Sequence, residues 1–270
     1  MKLSELILRL ARAGVESPAY DARELFRRFG GFGDSSLYGA DPSCDEPALI
    51  DAAKRREARE PLQYILGECG FYRETYLVTP DCLIPREDTE ILVDYAVRHL
   101  PEGAHFADLC TGSGCIALSV LNNTKNTTGI LADLSEGALR VAKKNAERLG
   151  LTERARLLPL DCLKGAPEGK FDAILSNPPY VRSEVYETLA REIFYEPQMA
   201  FVADEGGMQF YRAILENCGQ GLSENGFFGF EIGYDQENDI KALALSFGYD
   251  AEILFDLSAN PRAAILHKKP

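Results

Sequence analysis

A chain of 270 residues with 46% hydrophobic content can bury one substantial core and a small appendage, which excludes a disordered chain. No apolar run reaches bilayer length, and Lys2, Glu5 and Arg9 stand at helical spacing within Met1 to Leu10. No span or targeting segment is therefore read, and a cytoplasmic protein without membrane contact is expected.

The net charge of −13 falls almost wholly within residues 74–270, which counts against a nucleic-acid substrate because phosphate binding calls for a basic surface. The seven cysteines are scattered and form no Cys-x-x-Cys pair, so neither a disulfide framework nor a metal site is indicated.

Residues 1–70 read as a helical N-terminal domain. Leu3, Leu6, Ile7 and Leu10 recur at the spacing of one helical face. Ser17 and Pro18 suit an N-cap and first helical residue, opening a segment striped by Ala22, Leu25, Phe26 and Phe29 and ended by Gly30, Gly31 and Gly33. A third helix is predicted from near Pro47 to Glu60, stopping before Pro61. Its basic cluster, Lys54, Arg55, Arg56 and Arg59, reads as a solvated helix face.

Residues 71–85 turn to Tyr, Thr, Val and Leu punctuated by Pro80, a pattern for a hairpin linker. Residues 86–270 then alternate. Strands are predicted at 105–109, 129–132, 155–158, 171–175, 226–232, 251–256 and 263–267, with helices at 89–100, 115–122, 136–149 and 210–219. This is an α/β pattern: a mostly parallel sheet of seven strands, covered on both faces, with an antiparallel edge formed by the last two runs.

The first of these strands runs into Asp108-Leu-Cys110-Thr111-Gly112-Ser113-Gly114, and Gly112 opens a Gly-x-Gly-x-x-Ala turn ending at Ala117. Such a turn lets backbone N–H groups approach a ligand, and Asp133 at the end of the next strand suits a ribose diol. The turn alone fits a nicotinamide cofactor, S-adenosylmethionine, or a helix merely packed close to a strand. Asp108 favours S-adenosylmethionine, because a carboxylate there repels a pyrophosphate and attracts an ammonium and a sulfonium. Asp161 and Cys162, after the third strand, fall where an adenine edge would lie.

The fourth strand runs into Asn177-Pro178-Pro179-Tyr180. Two prolines lack N–H groups and restrict the residues before them, so the loop is stiff and offers acceptors without competing donors. The Asn177 side-chain oxygen and the Pro178 carbonyl could accept both hydrogens of one NH2 group while Tyr180 covers its planar face.

Taken together, these residues resemble the HemK/PrmC family of glutamine N5-methyltransferases acting on peptide-chain release factors. The resemblance covers nearly the whole chain: Pro61 to Gly67, Phe71-Tyr72, Leu83 to Glu90, the glycine loop, Asn177 to Tyr180, Glu196-Pro197, Glu231 to Gly233 and Pro261-Arg262. It implies a Rossmann-like class I methyltransferase domain and a helical domain that helps to hold the release factor. S-adenosylmethionine is the implied donor and S-adenosylhomocysteine the product.

By that resemblance, Cys110 to Gly114, Asp133, Cys162 and Asn177 contact the donor, and Asn177 to Tyr180 contact the glutamine of a Gly-Gly-Gln loop. Arg86 is expected either to line the substrate entrance or to pair with Glu87, Asp88 or Glu90. The chain departs from the family at Glu87, where Pro is common, and at Cys162, where an aromatic is common. Glutamine methylation of a ribosomal protein and N6-methylation of adenine are the alternative reactions, and an adenosine-binding partner module is the alternative without catalysis.

Overall fold

The computed structural model describes residues 1–269. The chain separates into two compact units, one of Met1–Glu68 with Ala190–Tyr195 and one of Cys69–Leu189 with Glu196 onward. The first unit therefore includes a short piece from late in the sequence, and the hairpin set apart above as a linker clusters with the second unit.

The first unit carries α1 (Leu3–Arg12), α2 (Pro18–Gly30), α3 (Asp34–Gly39), α4 (Pro47–Glu57) and α5 (Leu62–Leu66). Leu3, Leu6 and Leu10 of α1 pack with Ala22, Leu25 and Phe26 of α2 and Leu49 and Ala53 of α4, the faces their helical periods align. α3 and α5 were not read from the sequence, being too short to show a period. α4 ends at Glu57 rather than Glu60, because Arg59 takes a left-handed φ of 72° and the Glu60 amide closes onto the Arg55 carbonyl.

The basic run on α4 is not a solvated face. Lys54 is exposed, but Arg56 is 5% exposed, and its Nε donates to Asp21 Oδ2 at 2.7 Å. Its other nitrogens reach the Glu60 carbonyl at 3.0 Å and Glu192 at 3.2 Å. Arg59 grips Glu192 through two nitrogens, at 2.5 and 2.6 Å. A charge this deep is tolerated only when paired and hydrogen-bonded, and here it ties α2, α4 and the 190–195 piece into one unit.

In the second unit, β1 (Glu68–Phe71) and β2 (Glu74–Leu77) form a two-stranded sheet, followed by α6 (Glu90–His99), β3 (His105–Leu109), α7 (Cys115–Asn123), β4 (Thr128–Asp133), α8 (Glu136–Arg148) and β5 (Ala155–Pro159). β6 (Phe171–Ser176), α9 (Ser183–Tyr186), α10 (Gln209–Cys218), β7 (Leu222–Glu231), α11 (Glu237–Ser246), β8 (Tyr249–Phe255) and β9 (Pro261–Lys268) complete it. The seven-stranded sheet runs β5-β4-β3-β6-β7-β9-β8. β9 is the antiparallel strand, inserted between β7 and β8, so it lies second from the edge.

Alternate residues of each strand feed two cores: Ala107, Ile130 and Phe228 one side, Phe106, Leu131 and Phe227 the other. α11 was not read from the sequence; its polar opening hides the buried triplet Ile240, Leu243 and Ala244.

Removing one partner of a buried pair strands the other charge, at a cost of about 3 kcal/mol or more. We therefore expect Arg56→Met to lower stability by about 3 kcal/mol in urea denaturation, and Lys54→Met on the same helix to change it by less than about 0.5 kcal/mol.

Candidate active site

The register of the parallel strands decides what meets. Leu109 at the end of β3 pairs with Ala132 on one side and Ser176 on the other, and Asp133 pairs with Pro159. Cys110, Asp133, Asp161 and Asn177 therefore emerge at the same, carboxyl edge of the sheet, where open α/β sheets bind ligands.

A cavity of about 260 Å³ opens there. Its wall includes Cys110, Gly112, Asp133, Asp161, Cys162, Asn177 and Pro179 among the residues singled out in the sequence. Asp108, Thr111, Ser113, Gly114, Pro178, Tyr180 and Arg86 are not part of that wall. Met199, Phe210 and Asp81 are, and nothing in their local sequence signals it.

The glycine loop is held from beneath. Cys110 sits at a φ of 58°, the Thr111 amide donates to the Ala132 carbonyl, and the Gly114 amide closes back on the Thr111 carbonyl. Gly114 takes a φ of 82°, and an added Cβ would lie 3.0 Å from Leu118 and 3.2 Å from Ala142, so both backbone and packing call for glycine.

Asp133 accepts from the Gly112 amide through one oxygen and the Ser135 amide through the other, each at 2.8 Å. Burial pushes its carboxyl up, and these amides pull it back. Asp161 faces Lys164 at 2.8 Å, which holds its carboxyl below the usual range.

Asp108 is fully buried under the loop. Its Oδ2 accepts from the Thr111 hydroxyl and the Ala117 amide, while Oδ1 has no partner among the described residues. Burial pushes its carboxyl up to about 7. Cys110 and Cys162 approach to 3.7 Å between sulfurs, and the Cys110 thiol is pushed up by that contact and then by burial, so it stays protonated.

The Asn177 loop is equally tied. The Ser176 hydroxyl donates to the Leu109 carbonyl at 2.6 Å, and Asn177 Nδ2 donates to Thr89 Oγ1 at 3.4 Å. The Tyr180 hydroxyl donates to Glu231 at 2.9 Å, and Tyr180 borders a neighbouring cleft of about 290 Å³ rather than the main cavity. Gln236 Nε2 donates to the Tyr180 carbonyl at 3.3 Å. Gly207 packs so closely that an added Cβ would lie 2.3 Å from that same oxygen.

Arg86 pairs with none of Glu87, Asp88 or Glu90. Its partner is buried Glu196, whose second oxygen accepts from the Ile84 amide at 2.9 Å, while Asp88 takes Arg262 at 3.2 Å. Thr89, Glu196 and Glu231 all lie within stretches that carry the family resemblance, but nothing local to them indicates these partners.

Residues 3–67 match the PrmC N-terminal domain and residues 88–212 the methyltransferase small domain. The release factor glutamine methyltransferase of Caulobacter vibrioides is 35% identical over 271 residues, spanning 97% of this chain and 93% of that protein. That of Agrobacterium fabrum is 37% identical over 266 residues, spanning 94% of this chain and 92% of its own. Among solved structures, a ribosomal protein L11 methylase from Lactobacillus delbrueckii subsp. bulgaricus superposes with a TM-score of 0.53 at 18% identity, over 72% of this chain and 84% of its own. That last likeness is one of fold, the class I methyltransferase fold. Sequence similarity over nearly the full length of several relatives, together with the matched N-terminal domain, shows that this chain belongs to the HemK/PrmC family of release factor glutamine methyltransferases.

Proposed function

We propose that this chain is a cytoplasmic enzyme that methylates the side-chain amide nitrogen of the glutamine in the Gly-Gly-Gln loop of peptide-chain release factors, using S-adenosylmethionine. One observation carries the reading: Asn177 and Pro179 share a cavity wall with Cys110, Gly112 and Asp133, so the acceptor loop and the glycine loop face one space. The names of the relatives supply the substrate class. No helix among the described residues is long and apolar enough to cross a membrane.

The donor site is assigned to the loop Cys110 to Gly114, to Asp133 for the ribose hydroxyls, and to Asp161 and Cys162 on the adenine side. Asp108 lies beneath the loop and outside the cavity wall, with its Oδ1 unpartnered among the described residues; its part is to bias the field of the loop toward a cationic ligand rather than to touch it. When bound, S-adenosylmethionine supplies an electrophilic methyl carbon on a sulfonium and is left as S-adenosylhomocysteine.

The chain's own part is positioning. The Asn177 side-chain oxygen and the Pro178 carbonyl accept the two amide hydrogens and aim the nitrogen, with effective molarities of roughly 10⁵ M available to partners so held. Tyr180, fastened at its hydroxyl, gives the loop a fixed wall. The amide gains a methyl group at nitrogen and loses one hydrogen as a proton; an N-methylated amide cation is acidic enough to release it to water without a strong base. The described residues lining the cavity include no histidine.

With labelled donor, a release factor carrying Gly-Gly-Gln should take up label and its Gly-Gly-Ala variant should not; equal labelling overturns the reading. Asn177→Ala should bind the donor within about 1 kcal/mol of the original but turn over at least about 100-fold more slowly, because orientation is lost while the donor loop is intact.

Asp108 adds a pH signature. An unfolded Asp titrates near 3.9 and this one near 7, so between those values the folded chain holds a proton that the unfolded chain does not. Its contribution therefore favours folding at low pH and is lost as pH rises through that window. Asp108→Asn should accordingly gain stability relative to the original as pH rises from about 4 to about 7, by up to about 4 kcal/mol. Urea denaturation of both proteins without donor, at steps across that range, checks it.

A further inference from the structure

Thr89 stands at the N-cap of α6, yet its hydroxyl makes no capping bond to that helix. An N-cap threonine ordinarily stabilises its helix through that bond. Here the side chain, 2% exposed, turns inward and donates to Glu231 Oε2. Glu231 ends β7 and is 3% exposed; its other oxygen accepts from the Tyr180 hydroxyl at 2.9 Å. A buried carboxylate is costly, and this one is spanned by two hydroxyl groups that both belong to the surroundings of the reaction loop.

The donors run in one order along this chain of contacts: Asn177 Nδ2 to Thr89 Oγ1, and Thr89 Oγ1 to Glu231 Oε2. Burial pushes the Glu231 carboxyl up while the Thr89 and Tyr180 hydroxyls and Arg262 pull it back, and in its ionised form it only accepts, so the single Thr89 hydrogen then goes to Glu231. Thr89 Oγ1 can then only accept, and what it meets is Asn177 Nδ2, at 3.4 Å. The two ends of a planar amide point apart, so once nitrogen faces Thr89 the oxygen is turned away from it, on a residue that lines the cavity.

We propose that Thr89 and Glu231 are positioning residues that fix which end of the Asn177 amide is presented to the substrate, an assignment that rests on the glutamine-amide reading above. Without them the amide can rotate by half a turn and offer its own NH2 to the substrate NH2, a donor facing a donor. Replacing Glu231 with glutamine permits that reversal: the new NH2 can donate to Thr89, freeing the Thr89 hydrogen for Asn177 Oδ1.

The test compares Thr89→Val, Thr89→Ser and Glu231→Gln with the original chain, using labelled donor and a Gly-Gly-Gln release factor. Thr89→Val keeps the shape but removes the hydroxyl, and should lower kcat at least about ten-fold while the Kd for donor, by calorimetry, stays within about two-fold. Thr89→Ser should recover most of the turnover lost in Thr89→Val, and Glu231→Gln, if it folds, should fall with Thr89→Val. Thermal melting of each variant separates loss of fold from loss of turnover. An original chain that methylates the release factor together with a Thr89→Val variant within two-fold in kcat overturns this assignment alone. An original chain that transfers nothing overturns the glutamine reading and this assignment with it.

Discussion

The parallel register that sets Leu109 between Ala132 and Ser176 is the constraint from which the rest of the site follows. Each strand end there delivers a loop, and a shift by one residue in any strand would move its side chains to the opposite face. Asp108 falls on the α7 face, where the Ala117 amide meets it, because it shares parity with Phe106; Leu109 falls on the other. The Ser176 hydroxyl on the Leu109 carbonyl then fastens the start of the Asn177 loop to the start of the glycine loop.

Buried carboxylates do the organising around that edge. Asp108 anchors the glycine loop through Thr111, Glu231 anchors Tyr180 and Thr89, and Glu196 anchors the Ile84 to Arg86 segment. In each case burial pushes the carboxyl up and its donors pull it down. The compensation differs in kind. Glu196 has the Arg86 guanidinium and Glu231 has two hydroxyls, with Arg262 contributing charge nearby. Asp108 has one oxygen without a partner among the described residues, and no guanidinium beside it.

Much of this architecture was legible from the residues. The seven strands were placed to within a few residues at nearly every end, because buried parallel strands read as short apolar runs and the helices between them as striped ones. The glycine loop and the Asn177 loop declared themselves through residue types with few other uses. What stayed hidden was pairing at long range. Arg56 and Arg59 share Glu192, more than 130 positions away, and the partner of Arg86 is Glu196, 110 away. Thr89 and Glu231 are separated by 142 positions. A run of basic residues looks the same in sequence whether solvated or buried, and only the fold decides. The charge of Asp108 marks it in the sequence, but its place under the loop rather than in the cavity wall depends on strand parity against α7.

A loop tied at so many points has little freedom left to lose when a substrate arrives. Two prolines stiffen it, Ser176 holds its start, and Tyr180 is held at both its hydroxyl and its carbonyl. The Val181 amide then bonds the Phe201 carbonyl at 2.7 Å, fixing the exit. Such stiffness also selects. Under the proposed function, acceptors that cannot turn away favour a group with two hydrogens to give and oppose one with lone pairs in the same place, so a glutamate carboxylate in place of a glutamine amide would meet oxygen with oxygen. Discrimination of that kind needs no contact beyond the reacting group itself, only acceptors whose orientation is set by the fold before the substrate is present.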